Sequence, residues 1–123
     1  MPKIIVIFVS KDHDALLDKY CELSRGKGKH HYRPENFGPQ NEVDLAKKIA
    51  LDDSEIQHTV YTMYPNFLNR VGCYIADGAI DNRNVFVFIV GDSSFDYETE
   101  VATFDEEGFL TNWPYGYLEP DFD

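Results

Sequence analysis

A chain of 123 residues with 43% apolar and 15% aromatic residues is one domain long and rich enough in apolar side chains for one core, which excludes a disordered tail. Its longest apolar run, Ile4 to Val9, falls far short of the ~20 residues of a membrane span, so no membrane association is expected. The net charge of −11 is unevenly spread: residues 1–50 carry +2, and residues 51–123 carry −13 with Arg70 and Arg83 as their only cations. A surface of that sign repels phosphate backbones, so general nucleic-acid binding is not expected. It can attract a basic partner, mimic nucleic acid, or simply keep a small protein soluble.

Ile4–Val9 is a continuous apolar run, as in a strand buried on both faces. Asp12 or Asp14 can cap a following helix that carries Leu16, Leu17, Tyr20, Cys21 and Leu23 on one face. Gly26 and Gly28 end it, and a Gly-, Pro- and Asn-rich loop follows through Pro39. Asn41, with Asp44 three residues on, opens a second helix whose inner stripe is Val43, Ala46, Ile49 and Ala50. Ile56–Met63 is β-branched and aromatic and reads as a second strand. Pro65 suits the first turn of a third helix with Phe67, Leu68, Val71, Tyr74 and Ile75 inward and Gly78 as its stop. Val85–Val90 is another apolar strand, Tyr97–Phe104 an alternating half-exposed one, Asp105–Gly108 a turn, and Phe109–Asn112 a short extended segment.

The expected fold is therefore α/β: a single domain over 1–123, a mostly parallel sheet with helices packed on it, and an antiparallel C-terminal hairpin edge. Cys21 and Cys73 form no metal or redox spacing and lie at helical spacing among apolar residues, which predicts buried free thiols. The start of the sequence lacks the basic and small-residue features of a secretory leader, so a cytoplasmic protein is expected.

The stretch 24–33 holds Arg25, Lys27, Lys29 and Arg33, two histidines and no acid, a candidate anion-binding segment or a solvated loop. It is not a Walker A loop: His30 follows Gly28-Lys29 where Ser or Thr belongs, and Leu23 stands where the leading Gly should be. His30 and His31 are adjacent, their side chains diverge, and no third ligand sits at a metal-site spacing, so neither a metal nor a cofactor is expected.

Three segments carry a resemblance. Pro34-Glu35-Asn36-Phe37-Gly38-Pro39 with Leu45-Ala46, then Tyr61-Thr62-Met63-Tyr64-Pro65-Asn66-Phe67-Leu68-Asn69-Arg70, and finally Asp105-Glu106-Glu107-Gly108 followed by Trp113-Pro114-Tyr115-Gly116-Tyr117 stand in the order of three ATPase motifs. They resemble E-N-P-E-x-H-L-H-P, E-T-H-S-E-x-L-L-N-R and the Asp-x-x-Gly … Trp-Pro-x-Gly-Phe-Phe tail of ABC/OLD-type AAA ATPases of an anti-phage, restriction-linked subgroup. The resemblance runs over 32–123, with 105–123 as the tail. It implies kept architecture with lost catalysis: the catalytic Glu position falls on Tyr32 or Arg33, the γ-phosphate-reading His falls on Met63, and the phosphate loop has no counterpart. ATP hydrolysis is expected to be absent, and no residue is assigned a catalytic role.

Two functions follow. The first is a non-catalytic binding or regulatory module that docks on a protein partner, a basic protein or an ATPase or effector of an anti-phage or toxin–antitoxin-like system. Trp113, Tyr115 and Tyr117 would be the aromatic anchor, and Asp105, Glu106 and Glu107 the steering charge. The second is a small metal-dependent nuclease or phosphatase with Asp12, His13, Asp14, His30 and His31 as its ligand pool.

Overall fold

The structure, a computed structural model, describes residues 3–10, 12–25, 30–33, 39–52, 56–63, 65–90 and 101–111. Six strands, β1 (Ile4–Val9), β2 (His31–Tyr32), β3 (Gln57–Thr62), β4 (Val85–Ile89), β5 (Val101–Phe104) and β6 (Leu110–Thr111), form one sheet in the order β2-β3-β1-β4-β5-β6. Three helices, α1 (His13–Leu23), α2 (Pro39–Leu51) and α3 (Pro65–Ala76), separate the first four strands. Strands β2, β3, β1 and β4 are mutually parallel, and β5 and β6 continue antiparallel. The expected α/β fold with a mostly parallel sheet and an antiparallel C-terminal edge is the fold observed. Among the described residues no helix is long and apolar enough to cross a membrane.

The expected order lacked β2. The sequence reads 24–39 as loop, but His31 pairs with Thr59 and Tyr32 with Val60 in a two-residue parallel ladder. So short a strand, made of His and Tyr beside glycines and cations, gives no period to read. It nevertheless sets the layout. From β1 the chain steps outward over the β3 slot to β2, then returns inward to β3 and crosses β1 to β4. Right-handed crossovers in opposite directions put helices on opposite faces. Thus α1 covers one face, and α2 and α3 share the other.

The shared face is the core. Ile5, Ile7 and Val9 of β1 and Val85, Val87 and Ile89 of β4 point to it, and none is more than 5% exposed. Ala46, Ile49 and Ala50 of α2 and Phe67, Leu68, Val71 and Ile75 of α3 close over them. The opposite face is only half closed. Along β1 the residues alternate half-buried and buried, and along β4 Phe86 is 38% exposed. The two apolar runs are therefore not buried on both faces as their composition suggested, because an 11-residue helix cannot span the sheet. On α1 only Leu16 is fully buried, while Leu23 is 40% exposed.

Two other expectations are corrected. Cys21 and Cys73 are free but exposed, since each falls on the outer side of its helix. α2 opens at Pro39, two residues before the expected Asn41, the position where a proline's missing N–H costs nothing. Asp12 is the α1 cap: its Oδ1 accepts from the N–H groups of Asp14 (2.9 Å) and Ala15 (3.4 Å). The predicted stop of α1 at Gly26 and Gly28 and the part of the last hairpin before Val101 lie outside the described residues.

The β5–β6 hairpin is fastened to α3 through two glycines. Asp105 Oδ1 accepts from the N–H groups of Glu107 (2.9 Å) and Phe109 (3.0 Å), which shapes the turn, and Gly108 closes it at φ 87°. A side chain at Gly108 would collide with the Gly72 backbone, and one at Gly72 would collide with the Gly108 carbonyl. Helix and turn thus touch backbone to backbone. Asn82 Nδ2 adds a bond to the Phe104 carbonyl at 3.0 Å, tying β5 to the short 3-10 turn Asn82–Asn84 before β4.

Two stability measurements check this packing. Val87→Asp places a charge in a fully buried site on β4 and is expected to cost at least about 3 kcal/mol, seen as a large fall in melting temperature. An unchanged melting temperature would mean that β4 is not a core strand. Gly72→Ala is expected to cost about 1–3 kcal/mol by overpacking against the turn, although alanine favours helices elsewhere. A neutral or stabilised variant would show that the hairpin does not bear on α3.

Candidate functional site

Lys3 precedes β1 and reaches the end of α2. Its Nζ donates to the carbonyls of Ile49 (2.7 Å), Ala50 (3.0 Å) and Asp52 (3.0 Å), at the end of a helix where the ladder of backbone bonds runs out. The cation also sits where the helix dipole is negative. This clamp places Asp52 against β3. There Asp52 Oδ2 lies 3.2 Å from His58 Nε2, off the direction of the ring N–H, so the contact is electrostatic rather than a linear hydrogen bond. On the other side of the ring, His58 Nδ1 lies 2.9 Å from the Tyr32 hydroxyl.

Asp52, His58 and Tyr32 thus form a line of carboxylate, imidazole and phenol, and its centre is 1% exposed. Burial holds His58 below its ordinary value of 6.5; Asp52 opposes that shift, while His30 and Lys3 add to it. Burial, with Asp52 behind it, raises the Tyr32 phenol. The consistent state is a neutral imidazole with its proton on Nε2 facing the carboxylate and Nδ1 accepting from Tyr32. The Tyr32 ring is stacked on His58 (centroids 5.9 Å, 19°) and lies under Lys48 Nζ at 5.8 Å. Both ring nitrogens of His58 face a member of the line, Nδ1 the Tyr32 hydroxyl and Nε2 the Asp52 carboxylate.

The α1 face is built from rings. His31, Tyr61, Phe8 and Phe88 run across β2, β3, β1 and β4 as a stacked row with centroid spacings of 6.0, 5.3 and 5.3 Å. Phe8 is in register with both Tyr61 and Phe88, so the sheet pairing itself makes the row. Tyr20 of α1 meets Tyr61 edge-on at 5.3 Å, and the Arg33 guanidinium lies over Tyr20 at 5.5 Å. The Tyr61 hydroxyl is 2.9 Å from His31 Nδ1, and burial first, then Tyr20, pushes its phenol up to about 12. The phenol therefore keeps its proton while paired with His31 Nδ1. Beside this row lies a half-open cavity of about 410 Å³ lined by Val6, Phe8, Leu23, His30, His31, Gln57 and Thr59.

Open α/β sheets bind ligands at the carboxyl ends of strands where neighbouring crossovers diverge, here between β1 and β3. Ser10 and Thr62 occupy that point, both fully buried, and the Ser10 N–H donates to the Thr62 carbonyl at 3.4 Å. Ser10 Oγ accepts from the Asp12 N–H at 3.0 Å. Asp12 faces the helix it caps.

The residues singled out from the sequence are placed as follows. Arg25 is exposed in the turn after α1, and Arg33 is exposed just after β2; Lys27 and Lys29 lie outside the described residues. Glu106 and Glu107 are exposed in the β5–β6 turn, and Asp105 is committed to shaping it. Trp113, Tyr115 and Tyr117 lie outside the described residues. The ligand pool of the enzyme reading is not brought together. His31 is level with Thr59 and hence with Val6, whereas Asp12, His13 and Asp14 follow the far end of β1. Three strand residues separate those levels, about 10 Å along the sheet. Among the described residues no group of three or more His, Cys, Asp or Glu could hold a metal ion.

His58, Asp52, Gln57, Thr59 and Tyr61 escaped sequence reasoning. The available signal was His58 itself, a titratable residue inside an otherwise apolar and β-branched strand, which must find partners if buried. Compared with family profiles, curated proteins and solved structures, the chain matches none.

The His58 environment predicts a pH dependence. Its value is lower folded than unfolded, so the unfolded chain takes up the proton first as pH falls below 6.5. The stabilisation is complete above that pH and is lost progressively as pH falls toward the lowered value. Melting temperature should therefore decline between pH 7 and pH 5, and His58→Gln should flatten that part of the profile. An equal slope in the variant would show that His58 titrates normally.

Proposed function

We propose that the chain is a non-catalytic binding module related in design to the C-terminal part of an OLD-type ATPase, acting in the cytoplasm by docking on a protein partner. The partner class is an ATPase or an effector, in an anti-phage or toxin–antitoxin-like setting, with a basic surface. The observation that carries this reading is the content of the strand ends. Two positions that would act on one phosphate in the ATPases must share one edge on neighbouring strands. Tyr32, which falls at the first position, ends β2 level with Val60, and Met63, which falls at the second, follows the last residue of the adjacent parallel strand β3 three residues further along. Yet Tyr32 is bonded to His58, Met63 has no acid–base chemistry, and Ser10 and Thr62 are hydrogen-bonded to each other across the switch point. On this reading the reactive groups of such a site are replaced by contacts that hold the fold.

The Asp-x-x-Gly part of the tail resemblance has a physical role in this chain. Asp105 shapes the turn, and Gly108 supplies the positive φ and the contact with Gly72. That frame presents the acidic pair Glu106 and Glu107 at the start of the tail. Because Asp105 is used inside the turn, the steering charge rests on Glu106 and Glu107. The metal-dependent alternative is not favoured, since the Asp12 carboxylate is engaged as a helix cap.

The test has two parts. ATP turnover with magnesium should not exceed a mock preparation, and turnover abolished by a substitution in this chain would end the proposal. With a captured ATPase or effector, Glu106→Gln combined with Glu107→Gln should slow association at low salt and change little at high salt. Tyr115→Ala or Tyr117→Ala should weaken binding by about 1–3 kcal/mol with the fold intact. Unfolding of the tyrosine variants would place the tail in the core and the interface elsewhere.

A further inference from the structure

The cavity on the α1 face belongs neither to the strand ends nor to the acidic tail. Its size, about 410 Å³, suits one small ligand rather than a macromolecule. It lies beside the middle of β1 and the first half of β3, away from the carboxyl edge. Its surfaces are of two kinds. Phe8, His30 and His31 supply rings to its lining, with Leu23 and Val6 as aliphatic wall. Gln57 and Thr59 supply polar groups at one side: Gln57 Nε2 donates to Thr59 Oγ1 at 3.2 Å, which fixes the amide plane. The amide keeps its carbonyl oxygen and one N–H for a ligand, a paired acceptor and donor.

A paired donor and acceptor beside stacking surfaces is the arrangement that reads the edge of a flat heteroaromatic base, and a glutamine amide matches the N6/N7 edge of a purine. Charge narrows the class further. The cavity is flanked on the chain by the only cation-rich, acid-free stretch: Arg25 follows Leu23 by two residues, and Arg33 follows His31 by two. The second half of the chain, at −13, is acidic enough to repel an extended polyanion. A small anion with one aromatic body meets both conditions, whereas a nucleic-acid strand meets only one.

We propose that this cavity binds a purine mononucleotide, with the base among Phe8, His31 and Leu23 against the Gln57 amide and the phosphate toward Arg25 and Arg33. Binding needs no chemistry at the strand ends and would make the module responsive to nucleotide level without hydrolysing anything. The mononucleotide would bridge the end of α1 and the start of β2, the two elements that the cation-rich stretch connects.

Calorimetric titration of the full chain with AMP, GMP, CMP, adenosine, inorganic phosphate and a single-stranded oligonucleotide tests it. Purine mononucleotides should bind at least about tenfold more tightly than CMP or phosphate, the discrimination that one bidentate amide contact provides. Gln57→Ala, at an exposed position where folding is not at stake, should abolish the purine preference. Arg33→Ala should weaken AMP but not adenosine. Val6→Phe should fill the cavity and remove both. No binding of any mononucleotide at millimolar concentration would overturn the proposal. Equal binding of phosphate would reduce the site to the basic stretch alone, and tighter binding of the oligonucleotide would make it a strand-binding surface; either result overturns it. Retained purine preference in Gln57→Ala would place the base elsewhere and do the same.

Discussion

One helix must cover a sheet face that two helices cover on the other side, and much of the molecule follows from that inequality. The return of the chain from β2 to β3 sends α2 and α3 to the same face, leaving α1 alone on its own. A helix of 11 residues is about 16 Å long and cannot shield four strands. Large flat side chains do the remaining covering. The row from His31 through Tyr61 and Phe8 to Phe88 shields the sheet by ring area: Tyr61, Phe8 and Phe88 are in-register neighbours, His31 joins from the level of Thr59, and Tyr20 of α1 braces Tyr61 edge-on. The same shortage of cover leaves Phe86 exposed and a cavity where the row ends. The closed face, by contrast, is covered mostly by aliphatic side chains of α2 and α3, with Phe67 among them.

The polar groups inside the closed face obey a different constraint. A histidine buried to 1% exposure in a strand has to be neutral or paired, and Asp52 and Tyr32 supply both conditions. Asp52 is available because Lys3 holds the end of α2 in place, so a cation at the beginning of the chain and a carboxylate halfway along it depend on one another. The line resembles a catalytic relay in composition, but its centre is buried and its members hold one another. Its arrangement fixes β2 onto β3 and α2 onto the sheet, which accounts for a two-residue strand being held at all.

The sequence revealed the fold class through β1, β3, β4 and α3, whose patterns are long enough to show a period and whose ends carry proline or glycine signals. Where pairing rather than pattern makes an element, it was silent: β2 exists because His31 and Tyr32 bond across to Thr59 and Val60. Burial was legible only to one side. A wholly apolar strand does not say which face will lack cover, so Phe86 and the even positions of β1 were overcounted as core, and Cys21 and Cys73 were assigned inward from helical spacing alone. Of the candidate site, the capping role of Asp12 and the turn at Asp105–Gly108 could be read locally. The Asp52–His58–Tyr32 line could not, because its members are 26 residues apart in the longest step and meet only through the crossover.

The width of the sheet at its margins has a further meaning. As described, the sheet is bounded by β2 on one side and β6 on the other, each two residues long. A margin of two residues offers a neighbouring molecule almost no row of free backbone groups to pair with, and a two-residue register is too short to nucleate strand addition. The longer, more apolar strands lie inside the order: β1 is paired on both sides along most of its length, while β3 meets β2 at Thr59 and Val60 and β4 meets β5 at Val87 and Phe88. For a chain with half-covered apolar rings on one face, placing its shortest strands outermost is a safeguard against self-assembly that operates through geometry, independent of its surface charge.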